Sequence, residues 1–359
     1  MFSSRGTSSK QSVSQSLFEH KTFTLRFGSS GQGPDDGGCK ATINIYIYLN
    51  MNRLFNNFKF KNLHCHLDKS NVINGNILRQ SNVHMQEKWV LMRDIKRNYT
   101  ETCIQNRMES TILSMKNQGV NLVRSFIDVD QTVGLMCWNQ AKILKKKHNT
   151  HNFKIEIGVQ PLEGLSTSEN VALYEKACES ADFVGCLPSI DGIESDLHLD
   201  IAFTIAKKLG LPVEAHLDQL NTPYEDETSN FIDFVEMYEY QGKANAVHCV
   251  SVSKKHPIEI YDIAERLYMN DVGVIVCPSA AISMKQFRDD VGHISNSIAP
   301  IDIFANHGVK VGIGSDNIND IFMPLCDGNM IFELRLLAEA CRIYDIEILQ
   351  KIAENHGKL

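Results

Sequence analysis

The residues of this chain best suited to chemistry are histidines and acids gathered in four short stretches: His64-Cys65-His66-Leu67-Asp68, Glu214-Ala215-His216-Leu217-Asp218-Gln219, Val247-His248-Cys249 and Gly314-Ser315-Asp316-Asn317. His64 and His66 are two residues apart, a spacing that puts both imidazoles on one face of a strand. Three histidines and one carboxylate that converge, with a coordination position left open, suit Zn2+ or Fe2+ holding a water. A His-x-His pair alone is weak, because strand histidines more often pack in a core. Agreement among four stretches is specific. His148, His151, His256 and His307 fall in expected helix ends or turns and receive no role. His84 and His293 stay undecided; His293 precedes Ser295-Asn296-Ser297, in a loop able to reach the same region.

These stretches need elements that bring them together. From Lys61 onward one unit recurs: a short apolar or β-branched run that ends in polar residues, then a stretch with helical spacing. The expected strands are 62–68, 120–129, 154–161, 182–189, 212–219, 244–251, 272–279 and 309–317. Helical spacing marks Ala172 to Ala181, Asp200 to Leu209 and Ile258 to Tyr268. Strands that alternate with helices pair in parallel through right-handed crossovers. Eight such units in this length favour a closed (β/α)8 barrel, a TIM barrel, over an open sheet. No glycine-rich phosphate loop follows the first strand. In such a barrel the active site lies at the C-terminal ends of the strands, where the four stretches fall.

Composition bounds the rest. Hydrophobic residues make up 43% and charged residues 22%, a balance that fits a soluble globular protein. The net charge of -7 gives no attraction for nucleic acid or anionic membrane. The basic run Lys145-Lys146-Lys147 is read as the close of a helix, where it suits the dipole. No apolar run approaches the ~20 residues that span a bilayer, and the Ser-rich start lacks a secretory signal and is poor in arginine. Ten cysteines without CxxC pairs point to reduced thiols and a cytoplasmic setting, with Cys249 and Cys277 as core filler. Residues 1–50, Ser- and Gly-rich with one alternating run at 42–49, are expected to be a poorly ordered extension. Met51 is a candidate start, and 51–359 is expected to be the barrel.

The ordered motifs His-Leu-Asp-Lys (66–69), Pro-Leu-Glu-Gly (161–164), His-Leu-Asp-Gln (216–219), Val-His-Cys (247–249) and Gly-Ser-Asp-Asn-Ile-Asn-Asp (314–320) resemble the amidohydrolase superfamily over about 61–356. The branch is that of cytosine deaminase and N-isopropylammelide isopropyl amidohydrolase. The resemblance implies a metal-dependent hydrolase acting on a C–N bond of a small, nitrogen-rich cyclic substrate. It implies one divalent metal held by His64, His66, His216 and Asp316. His248 is then the histidine that hydrogen-bonds the attacking hydroxide, and Asp316 is also the base. Binuclear relatives carry a lysine at strand four; Asp182 to Ser189 contains none, so one metal is expected.

Three positions depart from the deaminase pattern. Gln219 replaces a proton-shuttling glutamate, and a glutamine can hydrogen-bond but cannot move a proton. Leu162 replaces a glutamine that reads the pyrimidine edge, and Asn317 replaces a second aspartate. Gln219 is therefore expected beside the catalytic pair Asp316 and His248, and Lys69, Leu162, Asn317 and Phe322 as substrate contacts; Lys69 is read equally as reaching an anion at the mouth or as a surface lysine or partner for Asp68. Deamination of cytosine or another aminoheterocycle is the runner-up. A catalytically idle barrel that binds a small molecule or regulates is the reading from a different class, and a phosphotriesterase-like or sugar-metabolising barrel is a third. The small β-sandwich usual in the family is expected to be largely missing, while self-association is common among such relatives.

Overall fold

A computed structural model describes Phe55, residues 57–284 and residues 297–354. The expected extension at 1–50, the alternating run at 42–49 and His293 lie outside them. Eight parallel strands run in the order of the chain. They are β1 (Lys61–Cys65), β2 (Leu122–Asp128), β3 (Lys154–Gln160), β4 (Phe183–Cys186), β5 (Val213–Leu217), β6 (Ala244–His248), β7 (Gly273–Val276) and β8 (Val311–Ile313). Each lies inside one of the eight expected runs, give or take a residue at its start. The last strand meets the first through a parallel bridge from Cys65 to Asp316, with the Asp316 amide donating to His64 O at 2.9 Å. Beside it, the Ser315 amide donates to Asn62 Oδ1 at 3.0 Å, and Asn62 Nδ2 donates to Ser315 Oγ at 2.8 Å. The sheet thus closes as a barrel, and among the described residues it is the only sheet.

Twelve described helices cover it. The first crossover holds α1 (Gly75–Gln80), α2 (Met85–Lys96) and α3 (Glu101–Asn117). Next come α4 (Met136–His148), α5 (Ser168–Cys178), α6 (Ser195–Leu209), α7 (Glu227–Met237) and α8 (Pro257–Met269), one for each crossover up to β7. Then follow α9 (Pro278–Ser283), α10 (Ile301–Asn306), α11 (Met330–Cys341) and α12 (Ile346–Glu354). The three lysines 145–147 do end α4, as the dipole argument required. None of these helices is long and apolar enough to cross a membrane.

Strand alternation decides what faces inward. On β3, Ile155, Ile157 and Val159 join the outer core beneath the helices, so Glu156, Gly158 and Gln160 face the axis. On β2 the same rule turns Arg124, Phe126 and Asp128 inward. The bottom layer is ionic: Arg124 pairs with Glu156 at 2.9 Å and with Glu214. Above it Phe126 and Phe183 meet edge to face at 5.0 Å. Two glycines make room for these rings. A Cβ on Gly158 would lie 2.1 Å from the Phe183 ring, and one on Gly185 would lie 2.2 Å from Val159 O and 2.6 Å from the Phe126 ring. The histidines stand on Phe126, whose ring is 4.8 Å from that of His64 and 4.6 Å from that of His216.

Candidate active site and metal centre

The pairing of β1 with β2 carries one extra residue between Asn62 and Cys65, a bulge that breaks simple alternation. Leu63 lies over Gly312 and His64 over Gly314, so both approach the inner side of β8. His66 follows just past the strand end. His216 is the inward residue near the end of β5. At the ends of β6 and β8 the backbone turns left-handed, with φ of 76° at His248 and 57° at Asp316. Non-glycine residues take that conformation at a cost, and such strain clusters at functional sites.

The result is a convergence of ligand atoms. His66 Nε2 lies 3.1 Å and His64 Nε2 3.4 Å from Asp316 Oδ1, and His216 Nε2 lies 3.3 Å from His66 Nε2. His64 also groups with His216 and His248, their ring nitrogens within 4.8 Å of one another. All five residues are buried. The other nitrogen of His216 faces Cys186 O at 3.1 Å. A backbone carbonyl can only accept, so Nδ1 carries the proton and Nε2 presents a lone pair to the centre.

Burial pushes the His66 imidazole down to about 3 and that of His248 to about 4, and drives His216 well below the usual histidine value. These rings are neutral near pH 7, the state a metal needs. Burial opposes ionisation of Asp316, but the imidazoles of His64 and His66 close against its Oδ1 hold its carboxyl well below the usual range. Both ring nitrogens of His64, Nε2 of His248 and Oδ1 of Asp316 are buried without a hydrogen-bond partner. Leaving such atoms unpaired is expensive, and a divalent cation would satisfy His64 Nε2 and Asp316 Oδ1 among them. The donor set fits such an ion. Strand β4 brings no ligand, because its inward residue at this level is Leu187, part of an apolar cluster.

The match to a family model decides the class: the amidohydrolase family model covers residues 59–353. The chain belongs to the amidohydrolase family. As an amidohydrolase it is a metal-dependent hydrolase acting on carbon–nitrogen bonds, and members of this family bind a divalent metal. A protein of Haemophilus influenzae is 26% identical over 250 residues, which are 67% of this chain and 88% of that protein. The fold matches 5-methylcytosine deaminase from Klebsiella pneumoniae with a TM-score of 0.75 at 19% identity, over 82% of this chain and 72% of that one. It matches N-isopropylammelide isopropylaminohydrolase from Burkholderia multivorans with a TM-score of 0.66 at 18% identity, over 82% and 72%. The branch expected from the motifs is the one these structures represent.

Within this amidohydrolase the substrate-side expectations fare differently. Asp316, Asn317 and Phe322 line a cleft with Val83, Met85, Lys88, Ala280, Ser283, Met284 and Met323, about 330 Å3 of space out to solvent. Asn317 Nδ2 donates to Asp320 Oδ2 at 2.6 Å, while Asp320 Oδ1 accepts from the amides of Phe322 and Met323. Leu162 is buried in one apolar cluster with Phe322 and Leu187. Gln219 follows Asp218, whose φ of 54° ends the strand pattern, and its Nε2 is buried without a partner.

Of the two readings open for Lys69, the structure favours the ion pair. Lys69 is 1% exposed rather than poised at the mouth, and its Nζ lies 2.6 Å from Asp128 Oδ1 and 3.8 Å from Asp68 Oδ1. Its charge is already matched, so an anionic substrate group has no free ammonium to meet. A second buried lysine, Lys96, reaches Asp128 Oδ2 at 3.2 Å and also Asp130. Burial opposes the charge on Lys96, but Asp128 and Asp130 keep it protonated. Arg107 donates to Asp68 O and Ser70 O at 2.9 and 2.7 Å, tying the same loop to α3. The network therefore fixes the segment that carries His66.

Several buried polar residues that flank the site escaped the sequence reading. Asp128 and Gln160 end β2 and β3, the same position that singled out the histidines, and that signal was available for them. His198 had no such signal. It is buried on α6, accepts from the Leu187 amide at 3.0 Å and meets Asp191 Oδ2 at 2.6 Å, a strut behind the β4 loop. His84 is the N-cap residue of α2, beside two cleft residues.

Proposed function

We propose that this amidohydrolase hydrolyses a ring amide or an amine substituent of a small nitrogen-rich cyclic molecule, with one zinc or iron ion held by His64, His66, His216 and Asp316. The observation that carries the reading is the set of unpartnered buried nitrogens gathered around Asp316 Oδ1 at the barrel mouth. When bound there, such an ion lowers the pKa of water toward ~7 and so supplies a nucleophile at neutral pH.

The chain does the rest. One oxygen of Asp316 faces the histidines, leaving the second to take the proton of the attacking water. His248 Nε2, otherwise unpartnered, is placed to hydrogen-bond the oxygen on which charge develops. Asp316 then gives its proton to the departing nitrogen. Gln219 cannot shuttle a proton, so a single-carboxylate path is the simpler one. That favours a ring amide, or an amine that leaves without a second acid. The names of the two structural relatives, a 5-methylcytosine deaminase and an N-isopropylammelide isopropylaminohydrolase, support a nitrogen heterocycle. The described cysteines are all free, which supports a reducing, cytoplasmic setting.

The test is a screen of cyclic amides, aminopyrimidines and aminotriazines with wild type and Asp316→Asn. Turnover by wild type and its loss by at least about a thousandfold in the variant, with metal content mostly kept, is the expected result. Near-normal turnover by Asp316→Asn would overturn the mechanism.

A further inference from the structure

One peptide group at the end of β4 stands between a proposed metal ligand and a buried histidine–carboxylate pair. Its carbonyl oxygen, on Cys186, accepts from Nδ1 of His216 at 3.1 Å. Its amide, on Leu187, lies just past the strand and donates to Nε2 of His198 on α6 at 3.0 Å. An amide N–H can only donate, so His198 carries its lone pair on Nε2 and its proton on Nδ1. That proton goes to Asp191 Oδ2 at 2.6 Å. The loop after β3 fixes Asp191 in turn: Oδ2 accepts from the Leu165 amide at 2.8 Å and Oδ1 from the Ser166 hydroxyl at 2.6 Å. His198 is 1% exposed, and burial holds its imidazole below the usual histidine value, so the ring is neutral near pH 7.

All three hydrogen bonds point the same way, outward from His216, and the chain ends on an anion. Bonds aligned in this manner polarise one another, and the carboxylate strengthens the last of them. A peptide whose N–H donates carries more negative charge on its carbonyl oxygen, which then holds the His216 proton more firmly. An imidazole held at its outer nitrogen is fixed in tautomer and ring orientation, and its other nitrogen becomes the stronger base. This singles out His216. Among the described residues, Nδ1 of His64 and Nδ1 of His66 have no hydrogen-bond partner, so of the three histidines His216 alone is aimed from behind.

We propose that His198 and Asp191 are positioning residues for the metal centre, acting on His216 through the Cys186–Leu187 peptide. This rests on the proposed metal site and extends it into the loops after β3 and β4. A carboxylate three hydrogen bonds away tunes the ligand that faces the cluster. A brace that merely held the β4 loop would need the bond to the Leu187 amide but not the charge on Asp191.

The test uses His198→Leu, which removes the acceptor of the Leu187 amide, and His198→Gln, which can return one through Oε1. Asp191→Asn removes only the charge, because its oxygen can take the place of Oδ2 and its amide can donate to Ser166 Oγ. The full chain is freed of metal with a chelator, and a thermal melt shows that each protein is folded. Two quantities are then read: the Kd for zinc, by competition with a chelating dye, and the proton NMR signal of His216 Nδ1–H in zinc-free protein, assigned by its loss in His216→Ala. We expect His198→Leu to weaken zinc by about tenfold or more, and His198→Gln to regain most of that loss. Asp191→Asn weakens zinc by about threefold or more and moves the His216 signal upfield. If His198→Leu does not fold, Asp191→Asn decides the case. A loss in Asp191→Asn below about threefold, or a larger loss with the His216 signal unmoved, makes the pair a general brace. Either result overturns the inference and leaves the hydrolase reading standing. No zinc on wild type counts instead against the metal site itself, and the inference falls with it.

Discussion

At the scale of single residues, the proposed centre gathers buried ligand atoms that a divalent cation would satisfy. His216 is the clearest case, because Cys186 O fixes its tautomer and aims Nε2 at the cluster. His216→Ala removes one of four expected ligands, and we expect metal content to fall by at least about tenfold by elemental analysis. Lys96 is a residue-scale test of the network behind His66. Its side chain is buried between Asp128 and Asp130, so Lys96→Met strands carboxylates in the interior. The expected cost is about 3–5 kcal/mol in urea unfolding. A loss below ~1 kcal/mol would mean that the carboxylates reach solvent once the lysine is gone.

At the scale of elements, the loops after β5 and β6 are held by the buried Asp218 and the half-buried Glu225 and Glu227. Glu225 accepts from the Leu220 amide at 2.8 Å and from the Ser251 hydroxyl, and Glu227 Oε2 accepts from the Asp218 amide at 2.8 Å. Asp218 Oδ1 in turn accepts from the Glu227 amide that opens α7, at 2.9 Å. Burial, with Asp218 nearby, pushes the Glu225 carboxyl up to about 7. The folded state then holds a proton that the unfolded chain releases near 4.5. The stability from this group is full below that value and is lost as pH rises toward 7. Glu225→Gln should flatten that part of the stability profile in urea titrations between pH 4.5 and 7; an unchanged slope would remove Glu225 as its source.

The elements were also where the sequence was most legible. Eight runs with the right period led to eight strands, and the rule that sites gather at strand ends led from His64 to Asp316. The same rule applied to Asp128 and Gln160, but a lone acid or amide at a strand end carries no pattern. The bulge in β1 and the left-handed turns at His248 and Asp316 leave no periodic trace either. The sequence left Lys69 between an anion contact and an ion pair, because burial and pairing belong to the folded packing, not to the motif that contains it.

At the scale of the molecule, the barrel is a stack in which each layer supports the next. Arg124 with its acids lies at the bottom, the Phe126–Phe183 pair above it, and the histidines on top. Gly185 is a tight point with little room to relax, since a Cβ there would meet Val159 O and the Phe126 ring, neither of which is a flexible chain end. Gly185→Ala should destabilise the barrel by about 2 kcal/mol or more through overpacking. Because Phe126 carries His64 and His216, that variant should also weaken metal binding; unfolding in urea and metal competition in the folded protein measure the two effects separately. The central claim for the whole molecule is that the converged cluster is a single-metal centre. Elemental analysis of protein purified without chelator or histidine tag tests it most directly. The account predicts about one zinc or iron per chain; two metals per chain, or none even after reconstitution, would contradict it.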